Sequence, residues 1–152
     1  MGRFHQLIST CLGIGYTPKG GGTVAALVCC IAWYFAWTGG NVHFWGQLIV
    51  TLLLLVVGIW SAGKVEDKWG KDPSRVVIDE AAGMCLGLLW VPVHWQYILI
   101  GLLLFRYFDI AKPLYIRKME QLKGGWGIMM DDMLAGLYTN LLLQIIVLFR
   151  PW

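Results

Sequence analysis

Four runs of apolar residues dominate the chain, at positions 24–37, 44–62, 81–104 and 133–149. A membrane-spanning helix needs roughly 20 predominantly apolar residues. The third run is interrupted by the turn-like stretch VPVHW, so it divides into segments of about 77–91 and 95–110. The pattern therefore predicts an all-α, polytopic integral membrane protein with about five transmembrane helices.

The remaining segments are short and predict structure at the membrane surface. The first 22 residues contain a weak apolar stretch of roughly ten residues, too short to span a bilayer, which predicts an interfacial segment. Residues 113–122 (PLYIRKMEQL) predict a short amphipathic helix whose basic side chains face anionic head groups. Because no long polar linker interrupts the chain, we expect a single membrane-embedded domain over residues 1–152.

Composition supports the membrane assignment. Of the 152 residues, 58% are hydrophobic and only 14% are charged, against roughly 25% charged residues in soluble domains. We expect a membrane as partner, and no nucleic acid; the sequence does not predict an oligomeric state. The four cysteines lack metal-ligand spacing and are interpreted as small buried apolar residues.

Charged residues gather on one side of the predicted membrane. When five helices are threaded alternately, every Lys and Arg except Arg150, and all nine acidic residues, fall on the side of the amino-terminal segment. The positive-inside rule makes that side cytoplasmic. We therefore expect the chemistry of the protein on the cytoplasmic side, and the mixed charges of residues 64–75 (KVEDKWGKDPSR) in a solvated loop there.

Two pairs of adjacent carboxylates open predicted helices. VVIDEAAG places Asp79 and Glu80 in the first turn of the third helix, and GIMMDDMLAG places Asp131 and Asp132 in the first turn of the fifth. One acid per helix would satisfy helix capping. Two adjacent acids repel each other, and a divalent cation relieves that repulsion. Capping and metal binding are thus alternative interpretations, and carboxylates without nearby His or Cys favour Mg²⁺.

Each carboxylate pair is followed by a glycine one helical turn later. Asp79 and Gly83, like Asp132 and Gly136, are four residues apart and share a helix face. A glycine there opens room for a bound group or for a neighbouring helix.

Basic and glycine-rich residues border the same predicted surface. Arg106 and Asp109, in the last turns of the fourth helix, form either a structural ion pair or, with Lys112, a site for a phosphate monoester. The glycines of GIGYTPKGGGT precede Thr23 at the start of the first helix. They form either a flexible turn or an anion site at a helix amino terminus.

Four ordered motifs, GIGYTPKGGGT, VVIDEAAG, FRYFDIAKP and GGWGIMMDDMLAG, resemble the phosphatidylglycerophosphatase A family. The resemblance covers about residues 13–136 and implies a Mg²⁺-dependent lipid phosphatase of the bacterial inner membrane, its active site facing the cytoplasm. Such an enzyme hydrolyses phosphatidylglycerophosphate to phosphatidylglycerol and inorganic phosphate. By position, the resemblance implies as catalytic residues Asp79, Glu80, Asp109, Asp131 and Asp132, as metal ligands Asp79, Glu80, Asp131 and Asp132, and as substrate-binding residues Thr23, Arg106 and Lys112.

The first motif departs from the family pattern. Gly21 stands where the family has a proline, and Ala25 and Ala26 stand where it has a Gly-Ser or Gly-Thr pair. A direct contact between this loop and the phosphate is therefore the weakest part of the resemblance.

Two chemical routes and one rival function stay open from the sequence. Metal-activated water or a carboxylate can attack phosphorus. A histidine nucleophile is disfavoured because His43 and His94 lie on the far side and His5 lies in the amino-terminal segment. The rival function is an ion or proton-coupled transporter. It is disfavoured because the acidic residues stop at one membrane boundary.

Overall fold

A computed structural model describes residues 2–39, 44–70 and 73–149, and within them every regular element is helical. Seven α-helices and one 3₁₀ turn, Ile14–Tyr16, confirm the all-α prediction for this part of the chain. The helices are α1 Gly2–Ser9, α2 Gly21–Trp37, α3 Phe44–Trp69, α4 Ile78–Gly87, α5 Trp95–Ala111, α6 Ile116–Met119 and α7 Gly125–Phe149. Short stretches outside the described residues include 40–43, between the first two apolar runs, positions 71–72 of the predicted loop, and the terminus at 150–152.

The helices α3 and α7 are the candidates for crossing a membrane. They contain 26 and 25 residues and are apolar enough to span a bilayer, whereas α2 is apolar but has only 17 residues. At a rise of about 1.5 Å per residue, α2 covers roughly 26 Å. Helix length and composition therefore support membrane association, and the number of five transmembrane segments stays a prediction.

The third predicted segment, 77–91, is only partly helical. Helix α4 ends at Gly87, and the residues after it form a turn in which Leu88, Leu89 and Val91 are buried. The carbonyls at this helix end accept hydrogen bonds from a side-chain amide of α7: Asn140 donates to Leu89 O at 2.7 Å and to Gly87 O at 3.2 Å. Because α7 satisfies these carbonyls, the chain can leave the helical conformation inside the protein.

Three further boundaries differ from the predictions. Helix α3 continues to Trp69, so residues 64–69 are helical and the loop predicted there is wrong over that stretch. Helix α6 has four residues, much less than the predicted 113–122. Helix α7 begins at Gly125, directly after Gly124 with its positive φ of 64°.

The early start of α7 corrects the placement of its acidic pair. Asp131 and Asp132 lie in the second turn of α7, not in the first. Capping of the helix amino terminus therefore does not explain this pair, because the helix dipole acts mainly within the first turn. Asp79 and Glu80 do lie in the first turn of α4, as predicted.

Glycines let α4 and α7 pack with their backbones close together. A Cβ added to Gly136 would lie 2.2 Å from the Gly83 carbonyl oxygen, and a Cβ added to Gly83 would lie 2.5 Å from the Asp132 carbonyl oxygen. Of the two uses expected for these glycines, they serve the approach of a neighbouring helix. This approach brings the carboxylates of α4 and α7 to the same place.

Candidate active site

Five parts of the chain surround one polar cavity of about 300 Å³. They are the glycine-rich start of α2, the loop before α4, the first turn of α4, the end of α5 and the second turn of α7. The residues that line the cavity are Gly20, Gly21, Gly22, Pro73, Ser74, Val76, Asp79, Glu80, Arg106, Asp109, Lys112, Asp131 and Asp132. All the site residues predicted from the sequence except Thr23 are in this lining.

Three carboxylates of the cavity form a compact cluster, which we call the carboxylate triad: Asp79, Glu80 and Asp132. One oxygen of each lies within 4.8 Å of the other two. Asp79 and Asp132 are buried, and the Glu80 backbone amide donates to Asp79 Oδ1 at 3.1 Å. Three carboxylates this close repel one another strongly when ionised, so the arrangement favours a bound cation.

The donor atoms of the triad fit a hard divalent cation. All are carboxylate oxygens, the ligand type that Mg²⁺ prefers. Glu80 Oε2 is buried and makes no hydrogen bond within the described residues. A buried acceptor without a partner is costly, and a cation would satisfy it.

Asp131 has a different partner from the triad. Its Oδ2 accepts a hydrogen bond from Lys112 Nζ at 2.7 Å, and the same ammonium donates to Glu120 Oε1 at 2.5 Å. Burial lowers the pKa of Lys112, but the ion pairs with Asp131 and Glu120 outweigh it and raise that pKa above its ordinary value. Lys112 is therefore protonated at neutral pH and joins the carboxyl end of α5 to α7.

Sequence reasoning missed Glu120. It follows the short helix α6, in a segment that was interpreted only as a membrane-facing surface. Its carboxylate contacts Lys112 because the chain turns after α5, where Lys112 has a left-handed backbone with φ of 45°. No local pattern in the sequence encodes that turn.

Arg106 and Asp109 form an ion pair, which was one of the two interpretations of their spacing on one face of α5. Both side chains are largely buried, with exposed fractions of 19% and 14%. Arg106 Nε is also buried and has no hydrogen-bond partner within the described residues. The guanidinium thus keeps an unused donor in a cavity that otherwise contains mainly carboxylates.

The glycine-rich start of α2 approaches Glu80 very closely. A Cβ added to Gly22 would lie 1.8 Å from Glu80 Oε1, so only glycine permits this contact. Thr23, in contrast, is exposed in the first turn of α2. The structure thus brings the backbone of the first motif to the cavity, and leaves the Thr23 side chain outside its lining.

The loop before α4 was not predicted to contribute, yet Pro73, Ser74 and Val76 line the cavity. The Val77 amide donates to Ser9 O at 2.9 Å, and the Arg75 guanidinium lies 5.7 Å from the Tyr16 ring centroid. These contacts tie the loop to the amino-terminal segment. The interfacial segment predicted from the sequence thereby helps to position one wall of the site.

The fold and the cavity define a helical protein with two helices long and apolar enough to cross a membrane, and with a carboxylate-rich site that also contains Arg106 and Lys112. Comparison with known proteins gives the particular family. Residues 7–147 match the family described as Phosphatidylglycerophosphatase A, and the chain belongs to it. The resemblance noted in the four motifs is confirmed, and the chain is a member of a lipid phosphatase family.

Three relatives illustrate the range of this similarity. A Bacteroides thetaiotaomicron protein named "Putative phosphatidylinositol-3-phosphatase" is 44% identical over 145 residues, which are 91% of each chain. The Escherichia coli protein named Phosphatidylglycerophosphatase A is 31% identical over 139 residues, 88% of this chain and 78% of the relative. The Haemophilus influenzae protein of the same name is 41% identical over 95 residues, 60% of this chain and 58% of the relative. No solved structure matches the chain.

Proposed function

We propose that this protein hydrolyses phosphatidylglycerophosphate to phosphatidylglycerol and inorganic phosphate, at the cytoplasmic face of the bacterial inner membrane. The observation that carries the proposal is the carboxylate triad, which shares one cavity with Arg106 and Lys112. A cavity with both acidic and basic groups suits a reaction in which the acidic groups bind a cation and the basic groups bind a phosphate. The family of the chain supports this substrate.

Asp79, Glu80 and Asp132 would hold Mg²⁺. When bound, the ion supplies neutralisation of phosphoryl oxygens and a lower pKa for a coordinated water. Asp131 was predicted as a fourth ligand; we propose instead that it positions Lys112, because its Oδ2 is 2.7 Å from that ammonium. The first turn of α4 and the second turn of α7 fix the triad before any ligand arrives.

Arg106 and Lys112 would bind the phosphate. A phosphate monoester carries about 1.5 to 2 negative charges near neutral pH and accepts several hydrogen bonds. The unused Nε of Arg106 provides one donor, while Asp109 holds the guanidinium in place. The two cations balance the charge that develops on the phosphoryl oxygens in the transition state.

We propose water as the nucleophile. The triad carboxylates bind the cation in this scheme, so attack by one of them would remove a metal ligand. Attack by a carboxylate would form an acyl phosphate, and hydroxylamine would trap that intermediate during turnover. If hydroxylamine traps the protein in this way, the nucleophile is a carboxylate and not water.

The proposed topology has five membrane segments in a single domain and the cavity on the cytoplasmic side. The excess of Lys and Arg on that side supports it. Single cysteines at Gly39 and Lys123, in a chain without the four native cysteines, should react with an impermeant maleimide from opposite sides of the membrane. Reaction of both from one side would refute this topology.

Phosphate release by the purified protein in detergent tests the function. We expect release from phosphatidylglycerophosphate that needs Mg²⁺ and stops with EDTA. A second candidate substrate is phosphatidylinositol 3-phosphate, because the relative with 44% identity is named for action on it. A higher kcat/KM for that lipid would move the assignment to a phosphoinositide phosphatase, and no release from either lipid would refute a phosphatase of this class.

A further inference from the structure

We infer that an apolar groove between α2, α3 and α4 binds one acyl chain of the lipid substrate. The groove has a volume of about 260 Å³ and is separate from the polar cavity. The inference rests on the proposed function, since it assumes that a lipid phosphate enters the cavity. It adds a binding site for the part of the substrate that the carboxylates and cations do not contact.

The groove and the polar cavity are lined by neighbouring residues of the same two helices. On α4, Ala81 lines the groove and directly follows Glu80, which lines the cavity. On α2, Ala25 lines the groove one turn after the glycines of the cavity. From Ala25 the groove follows α2 to Trp37, a distance of about 18 Å along the helix axis. A phosphate in the cavity would thus bring an attached acyl chain near the part of the groove that Ala25 and Ala81 line.

The face of α2 in the groove consists mainly of small side chains. Ala25, Cys29, Ala32 and Ala36 recur at intervals of three or four residues and share that face. In membrane helices such residues normally allow a neighbouring helix to approach closely. In the described residues α2 packs on α4 and α5, while α3 does not pack closely along it. The room left by the small residues is therefore groove volume rather than a helix contact.

The lining selects an apolar ligand. Among the described residues no charged side chain lines the groove, and two of its thiols already have partners: Cys29 Sγ lies 3.4 Å from Cys85 Sγ and 3.5 Å from the Ala81 carbonyl oxygen. A polar ligand would lose its hydrogen bonds to water here without replacement. An acyl chain has no hydrogen bonds to lose and makes van der Waals contacts with the apolar lining.

A second apolar groove, between α2 and α5, provides the control. It is lined by the opposite face of α2, including Leu27, Ile31 and Phe35. Its nearest approach to the polar cavity on α5 is Leu102, one helical turn before Arg106. Unlike the first groove, which Ala81 lines directly beside Glu80, it has no lining residue next to a member of the carboxylate triad, so we assign the acyl chain to the first groove.

The test compares tryptophan at two adjacent positions of α2. Ala32 and Ile31 are both exposed, so Ala32→Trp fills the first groove and Ile31→Trp the second with little disturbance of the core. Each variant would be assayed with dioleoyl and with dihexanoyl phosphatidylglycerophosphate. Ala32 lies about 15 Å along α2 from Gly22, beyond the reach of a six-carbon chain.

We expect Ala32→Trp to lower kcat/KM about tenfold or more for the dioleoyl lipid, and to leave the dihexanoyl lipid within about twofold of the unmodified protein. Ile31→Trp should change neither value. The same chain-length preference in Ala32→Trp and the unmodified protein would overturn the groove assignment, as would equal losses in the two variants. If Ala32→Trp does not fold, Val28→Trp fills the same groove from another exposed position. No phosphate release by the unmodified protein would instead overturn the proposed function itself.

Discussion

The two acidic pairs look alike in the sequence and differ in the structure. Asp79 and Glu80 both join the carboxylate triad, whereas Asp131 and Asp132 divide: Asp132 completes the triad and Asp131 binds Lys112. The first pair lies in the first turn of a ten-residue helix, and the second in the second turn of a long one. Adjacent carboxylates therefore have separate partners here, and the partner decides the role.

The largest effect should come from the triad. Asp79→Asn and Asp132→Asn keep the shape of the side chain but remove the charge that holds a cation. We expect each to lower kcat by more than about 10³-fold, beyond the 10- to 100-fold losses typical of outer partners of a metal site. Phosphate release at saturating Mg²⁺ measures this. Full activity in either variant, with unchanged thermal unfolding, would show that the substituted residue is not a ligand of the proposed metal site.

Asp131→Asn should have an intermediate effect, about 10- to 100-fold on kcat/KM, because it removes the partner of Lys112 rather than a metal ligand. Lys112→Gln should act through the same ion pair. The double variant should then be much less impaired than the product of the two single losses, since residues in direct contact are not additive. Independent losses that multiply would show that Asp131 acts elsewhere, for instance at the metal.

A substitution at the contact between α4 and α7 tests the packing that brings the acidic pairs together. Gly136→Ala places a Cβ against the Gly83 carbonyl oxygen at 2.2 Å, so α4 and α7 must move apart. We expect a loss of about 1–3 kcal/mol in the free energy of unfolding, the usual cost of overpacking, together with lower activity. Gly39→Ala, which has no atom within 4 Å of its added Cβ, is the control and should leave both quantities unchanged. Similar thermal unfolding of the two variants in detergent would refute the close helix contact.

The smallest effect should come from Glu120→Gln. The Glu120 side chain is 36% exposed, and an exposed ion pair contributes about 0–1 kcal/mol. We expect kcat/KM to change by less than about fivefold. The pKa of Lys112 should fall but stay well above neutrality, because Asp131 still pairs with it. A new loss of activity between about pH 6 and 9 in this variant would show that Glu120 controls the protonation of Lys112.

Local patterns in the sequence were sufficient for the helical class and for the charged residues of the cavity. Charges beside apolar runs identified Asp79, Arg106 and Lys112, because burying charge without partners is unfavourable. Local patterns did not predict where α4 ends, because the carbonyls there accept hydrogen bonds from Asn140 and Gln144, which lie more than 50 residues later.

The start of α7 was missed for a different reason. An apolar run contains few charged residues, so the predicted helix began next to Asp131 and Asp132 and left out the residues from Gly125 to Met130. The division of labour between these two acids was also hidden, because it depends on where the turn after α5 places Lys112. Contacts between distant segments, and not residue type, carry that information.

Cation binding tests the account most directly, because it separates the two acids of α7 without reference to turnover. Binding of Mn²⁺, used as a paramagnetic probe of the Mg²⁺ site, would be measured by electron paramagnetic resonance for the purified protein in detergent, for Asp132→Asn and for Asp131→Asn. We predict binding to the unmodified protein, a loss of more than about tenfold in affinity for Asp132→Asn, and most of the affinity retained in Asp131→Asn. Unchanged binding in Asp132→Asn, or a loss confined to Asp131→Asn, would contradict the assignment of the carboxylate triad.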